Sequence, residues 1–174
     1  ILINNPKKIE IGVNLETINA HNNIQNILEN NTKNIDSITI GRVDLVGSMN
    51  KDRKYINSEE IHNIINNSFG YVKSNFKHIN TYLGGSINNE SEDFIRKNKN
   101  LLNFIETRHI IFDVNLLLKN YKKCVELANL FEYYWLNNIN NSYNIEKNKK
   151  RIEMISSRIF SNNHKKKNFN TLFI

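Results

Sequence analysis

Apolar side chains fall at every second position over residues 9–15 (IEIGVNL) and again over residues 35–45 (IDSITIGRVDL). A period of two puts alternate residues on one face, so both segments are predicted strands. A helical period follows each, over residues 18–29 and 59–78. The second helix has a start signal, Asn57 ahead of Ser58, Glu59 and Glu60, which pairs a capping residue with acids in the first turn. Residues 81–87 (TYLGGSI) form a third, short strand that leads into a short helix opened by Ser91, Glu92, Asp93 and Phe94. Residues 103–113 (NFIETRHIIFD) read as one uninterrupted fourth strand before a long C-terminal helix. Strand and helix thus alternate four times, the pattern of parallel strands joined by right-handed crossovers. A closed β/α barrel needs about 250 residues, whereas an open doubly wound sheet fits a shorter chain. The pattern alone leaves both open.

On the C-terminal helix, Leu117, Tyr121, Cys124, Ala128, Phe131 and Trp135 are spaced alternately by four and three. This predicts one apolar stripe, buried on the chain's own sheet or, given its aromatic residues, at a subunit interface. Cys124 lies within it as a small hydrophobe. Residues 151–160 (RIEMISSRIF) read as a second, shorter amphipathic helix.

Composition narrows the class without naming a chemistry. The chain has 174 residues, 39% hydrophobic and 24% charged, with one proline and one cysteine, as for a soluble domain without a disulfide framework. A lone cysteine fits a reducing compartment, so a cytoplasmic location is expected. No apolar run reaches the roughly eighteen residues of a membrane span, and the opening ILINNPKK is not a secretion signal. The first residue is Ile rather than Met, which suggests a trimmed or incomplete chain. The net charge of +7 comes from scattered residues. Its densest block, Lys165 to Lys167, sits in a polar tail, so no nucleic-acid partner and no membrane partner is expected. Of the five histidines, His21, His62, His78 and His164 are expected in solvated or capping roles, and His109 within the fourth strand has no assignable direction.

Two carboxylates end consecutive strands, Glu16 in VNLET and Asp44 in GRVDL. In parallel α/β folds the loops at the carboxyl ends of the strands form the site, so the two converge on one mouth. Convergent carboxylates suit a hard divalent cation that keeps positions for water and substrate. Taken singly, Glu16 is equally an acid favouring the next helix start, and Asp44 a turn residue.

Together, VNLET (residues 13–17), IGRVDLVGSM (40–49), LGGSI (83–87) and FIETRHIIF (104–112) resemble the HpcH/HpaI aldolase and citrate lyase β-subunit family, over residues 9–160 or so. That family comprises metal-dependent β/α barrels of the phosphoenolpyruvate/pyruvate superfamily. The resemblance implies that Glu16 and Asp44 bind Mg²⁺ or Mn²⁺, and that the backbone of Gly41, Arg42 and Val43 lies against the carboxylate of a 2-oxoacid. Gly41 suits such an approach because it has no side chain. The Arg42 side chain is expected either to face substrate or to pair with a nearby acid. Gly84 and Gly85 would lie at the next strand's mouth or form an ordinary turn.

The family's substrate-binding arginine and its aldolase-branch histidine base come from the first half of the barrel, and neither has a counterpart here. The four units are therefore expected to be strands five to eight, the C-terminal half of a (β/α)8 TIM barrel, inactive without the rest. Residues 1–115 would be that half, 116–160 a helical extension and 161–174 a basic tail. The implied function is a carbon–carbon lyase or aldolase acting on a 2-oxoacid such as pyruvate or oxaloacetate, in a homo-oligomer. The alternative is a barrel-derived binding or structural protein without turnover. Glu106 and Arg108 are expected to form a structural ion pair.

Overall fold

The computed structural model describes residues 9–138 and 145–160. At its centre is a five-stranded sheet in the order β1-β2-β3-β4-β5. The strands are β1 (Gly12–Asn14), β2 (Ser37–Gly41), β3 (Asn80–Gly84), β4 (Phe104–Thr107) and β5 (Ile110–Asp113). The first four are parallel, with Val13 opposite Ile38, Ile38 opposite Thr81, Gly41 opposite Gly84 and Leu83 opposite Ile105. The helices are α1 (Ile18–Asn22), α2 (Ile24–Glu29), α3 (Arg42–Ser48), α4 (Glu59–Asn75), α5 (Glu92–Asn98), α6 (Val114–Lys119), α7 (Tyr121–Asn138) and α8 (Ile145–Phe160). The chain is α/β with a mostly parallel sheet. Among the described residues no helix is long and apolar enough to cross a membrane.

Register sorts the sheet into two unlike faces. Ile38, Ile40, Thr81, Leu83 and Ile105 share one face and are all shut off from solvent. Helix α4 adds Ile61, Ile65, Phe69 and Val72 to the core at spacings of four, four and three, the stripe its sequence prescribes. On the other face Ser37, Thr39, Tyr82 and Phe104 are half-buried and Asn14 is exposed. The Tyr82 and Phe104 rings stack there at 4.8 Å.

Four expected elements differ in detail. The helix expected over residues 18–29 is two, α1 and α2, divided at Asn23. Residues 42–45, expected as strand, are the first turn of α3. Arg42, Leu45 and Val46 are its buried residues, an i, i+3, i+4 set that the alternation of Val43 and Leu45 conceals. Ser58 rather than Asn57 caps α4, its hydroxyl accepting from the Ile61 N–H. The fourth strand is a hairpin, β4 and β5, turning at Arg108 (φ 50°) and His109 (φ 64°). Two consecutive positive φ values make the tight turn that suits hairpin twist, but they are normally supplied by Asn or Gly, so Arg-His gives no turn signal.

The described residues fall into two units, one of residues 9–107 with 111–119, the other of 108–110 with 120–138 and 145–160. In the second unit α7 packs against α8. The buried positions of α7 are Tyr121, Val125, Ala128, Asn129, Glu132 and Leu136. The helix expected to carry the stripe is two, α6 with buried Leu117 and α7; on α7 the stripe holds at Tyr121 and Ala128, is half-buried at Cys124 and fails at Phe131 and Trp135, which are 45% and 38% exposed. The face is turned because Glu132, though charged, is buried. Arg151 of α8 grips it with two hydrogen bonds (Nε to Oε1, 2.7 Å; Nη2 to Oε2, 2.8 Å), and Arg108 Nε lies 3.5 Å from Oε2. Arg108 thus pairs with Glu132, not with Glu106 as expected. Burial chiefly pushes its guanidinium down to about 10, with Arg158 and Arg151 adding to the shift and Glu132 opposing it. The His109 ring lies 4.2 Å from that of Trp135. The basic block at 165–167, with the rest of the expected tail, lies outside the described residues.

Candidate functional site

At the carboxyl ends of the strands a row of residues crosses the open face. Leu15 turns inward from the end of β1 and is buried, so Glu16 turns the other way. Its carboxylate lies over Gly41, where a Cβ would come within 2.6 Å of Glu16 Oε1. A side chain at 41 would require Glu16 to shift. Asn14 Nδ2 donates to the same oxygen at 3.4 Å. Gly41 pairs with Gly84. A Cβ on Gly84 would lie 3.9 Å from that of Glu106, so Glu106 stands on the same face at the end of β4. The row reads Glu16, Gly41, Gly84, Glu106: two glycines between two carboxylates.

Asp44 adds a third carboxylate from the first turn of α3 and is exposed. The Glu16 carboxyl is held above its ordinary value, first by partial burial, then by the charges of Asp44 and Glu106. Like charges disfavour ionisation, and a cation between them would reverse that effect. Among the described residues no three His, Cys, Asp or Glu side chains assemble into a metal site on their own. Among the described residues, Glu16 and Asp44 are the carboxylates that the resemblance assigns to a divalent cation. A donor set of carboxylates fits Mg²⁺ or Mn²⁺, which take oxygen ligands and keep several waters.

Arg42 follows Gly41 but its side chain is fully buried. Its Nε donates to the Gly84 carbonyl (3.3 Å), Nη2 to the Gly85 carbonyl (2.8 Å) and Ser91 Oγ (3.3 Å), and Nη1 to Asn57 Oδ1. The guanidinium carbon lies 5.1 Å from the centre of the Phe94 ring. The side chain clamps the end of β2 to the loop after β3, leaving the backbone of Arg42 as the part a ligand on the open face can meet. Gly85, at φ 82°, packs so closely that a Cβ would come within 2.7 Å of the backbone nitrogens of both Arg42 and Val43. Asn57, expected to cap α4, is recruited to this clamp.

The histidines do not join the row. His21, expected to be solvated, is buried on α1, its Nδ1 2.7 Å from Ser68 Oγ of α4 and its Nε2 without a partner. Burial pushes its pKa down, partly opposed by the Leu15 carbonyl. His62 is half-buried, 2.9 Å from Asn98 Oδ1, and His78 is exposed. His164 lies outside the described residues. Glu106 is the residue whose place the sequence reading misjudged. The signal was the alternation of Phe104, Ile105 and Glu106, which sends Ile105 into the core and Glu106 to the open face.

Comparison of the chain with protein-family models, with curated proteins and with solved structures finds no significant match.

Proposed function

We propose that this chain is the metal-binding half of a (β/α)8-type carbon–carbon lyase that acts on a 2-oxoacid of the pyruvate or oxaloacetate type. One observation carries the reading: Glu16 is seated over Gly41, with Asp44 one helical turn further on, at the carboxyl edge of parallel strands. Glu16 and Asp44 would hold Mg²⁺ or Mn²⁺. The bound ion would supply positive charge beside the oxygen that turns negative as the carbon–carbon bond breaks. The chain's own part is to keep the two carboxylates convergent, through the Gly41 contact and the Asn14 hydrogen bond. A planar substrate carboxylate would approach the backbone of Arg42 and Val43, beside the Gly41 face that Glu16 covers. Arg42 fixes that stretch by clamping it from behind.

Exposed Phe131, Tyr134 and Trp135 on α7 suit a homo-oligomer. The half-buried lone Cys124 suits a cytoplasmic enzyme.

The test is Mn²⁺ binding by this chain, followed by electron paramagnetic resonance, together with pyruvate methyl-proton exchange, with and without EDTA, by the complete barrel of which it would be the half. Saturable binding that is lost in the Glu16→Gln, Asp44→Asn double variant, and exchange that stops on chelation, are the expected results. Binding unaffected by both substitutions would end the proposal. A second reading, a binding protein without turnover, is favoured by a row made only of carboxylates and glycines. It predicts Mn²⁺ binding without exchange.

A further inference from the structure

We infer that the α7–α8 unit binds single-stranded nucleic acid, with a base stacked at Trp135 and His109 and the phosphates running past Arg151 and Arg158; the inference is independent of the lyase reading above.

The basic residues are scattered along the sequence, but the fold sorts them. Among the described residues, the sheet unit (9–107 with 111–119) has eleven Lys and Arg against thirteen Asp and Glu. The α7–α8 unit (108–110, 120–138 and 145–160) has eight against four. The positive charge therefore belongs to the helical unit and not to the sheet. Residues 161–174 follow α8 in the sequence with three more lysines and no acid. A surplus of one sign gathered on one unit attracts a polyanion.

Helix geometry lines that charge up. Arg151 and Arg158 are seven residues apart on α8, within about 20° of one line and about 10 Å apart along the axis. Glu146 and Glu153, also seven apart, form a second line on roughly the opposite side. Arg151 and Arg108 both meet Glu132 of α7, at 2.7 and 3.5 Å. Arg158 is exposed, and near enough for its charge to add to the fall that burial causes in the Arg108 pKa. Three guanidiniums thus gather around one carboxylate, which offsets one charge of the three.

Trp135 lies about one helical turn past Glu132 on α7, 38% exposed, with the exposed His109 ring 4.2 Å from its own. The turn that brings Arg108 to Glu132 and His109 to Trp135 has φ of 50° and 64°. Asn-Gly would make such a turn without strain. The chain instead holds a cation and a ring there, and backbone strain of this kind clusters where side chains are used for binding. A cationic row beside an exposed ring pair is the composition of a single-strand site, in which guanidiniums take phosphates and the rings take a base. A duplex keeps its bases stacked on one another and offers the rings nothing.

Trp135 is the chain's one tryptophan, so its fluorescence reports on the site directly. The experiment titrates the 174-residue chain with a short oligouridylate in EDTA, which keeps metal off Glu16 and Asp44, and follows the anisotropy of the labelled strand in parallel. Saturable quenching is expected, with an affinity that falls as salt rises. Trp135→Ala should weaken binding about fivefold to a hundredfold, the value of one stacked base, and Trp135→Phe, which keeps a ring, by much less. Arg158→Gln should weaken binding and lower the salt slope by about 0.7, with the melting temperature unchanged. An RNA duplex of equal length should compete about tenfold less well. Duplex and single strand bound alike, no effect of Trp135→Ala, or uridine monophosphate bound as tightly as the strand would each overturn the inference. A blue shift of Trp135 emission on phosphatidylglycerol vesicles without a response to RNA would assign the face to a membrane. A shift with protein concentration alone would assign it to a second copy, and either result overturns the inference.

Discussion

Residue by residue, the site sets like charges against stability. Glu16 has a raised pKa in the folded chain, so the native state binds its proton more tightly than the unfolded chain does. That contribution favours folding below the ordinary value of 4.5 and is lost as pH rises through the folded value. At about pH 7 in EDTA, Glu16→Gln should therefore raise the melting temperature, and at about pH 3.5 the gain should vanish. With saturating Mn²⁺ the order should invert, because only the unaltered protein gains binding energy. Identical melts at every pH would show that the carboxylates do not interact. His21 has the opposite sign from a paired histidine. Its folded pKa lies below 6.5, so stability is fully present above 6.5 and falls as pH drops below it and the unfolded chain takes up the proton. Urea midpoints at about pH 7.5 and 5.5 should diverge more for the unaltered chain than for His21→Gln, which keeps a partner for Ser68. Equal slopes would mean that His21 is not held neutral. Glu16 follows an apolar alternation and lies just past the end of β1, whereas Asp44, expected at a strand end, lies in the first turn of α3. The buried state of His21 was not legible, since a single histidine in a short helix carries no sign of which way it faces.

Among the elements, legibility followed the strength of local signals. The strands with strict alternation and the body of helix α4 were readable, because period is a property of adjacent residues, while its cap fell on Ser58 one residue after the expected Asn57. The hairpin at Arg108 and His109 was hidden, because its positive φ values rest on non-glycine residues that pay about 1–2 kcal/mol each for the left-handed conformation. Contacts distant in sequence hold the turn: Arg108 with Glu132, and His109 with Trp135. The same ion pair misplaced the stripe on α7, since a hydrophobic period cannot announce a buried glutamate. Glu132→Gln should thus cost more than a surface substitution. It leaves Arg108 and Arg151 sharing a neutral partner, with Arg108 buried, and should destabilise the α7–α8 unit by about 3–5 kcal/mol. Hydrogen exchange across α8 should accelerate accordingly, while amides of β2 and β3 keep their protection. A loss below about 1 kcal/mol would mark the network as a solvated one.

For the whole molecule, the two faces of the sheet set the remaining question. Sheets built from parallel strands are ordinarily covered on both sides, and their strands are then apolar throughout. Here the alternation of β2, with Ile38 and Ile40 fully buried and Ser37 and Thr39 half-buried, is that of a sheet whose second face is, among the described residues, only partly covered. Tyr82 and Phe104 break it, since a stacked aromatic pair on the open face is large apolar area at the price of partial exposure. A face of this composition suits the layered interior of a barrel better than bulk water. The 174-residue chain should accordingly bind the dye ANS in its native state and self-associate with rising concentration, although its charge of +7 opposes close approach. Replacing Tyr82 and Phe104 together by lysine should suppress both behaviours. It should lower the melting temperature by only a few degrees, because the stacking lost is worth about 0.5–1.5 kcal/mol beyond area burial. Sedimentation and dye fluorescence distinguish the cases. A monomer that binds no dye at any concentration would mean that the open face is stable in water as it stands, and the half-barrel reading would lose its physical motive.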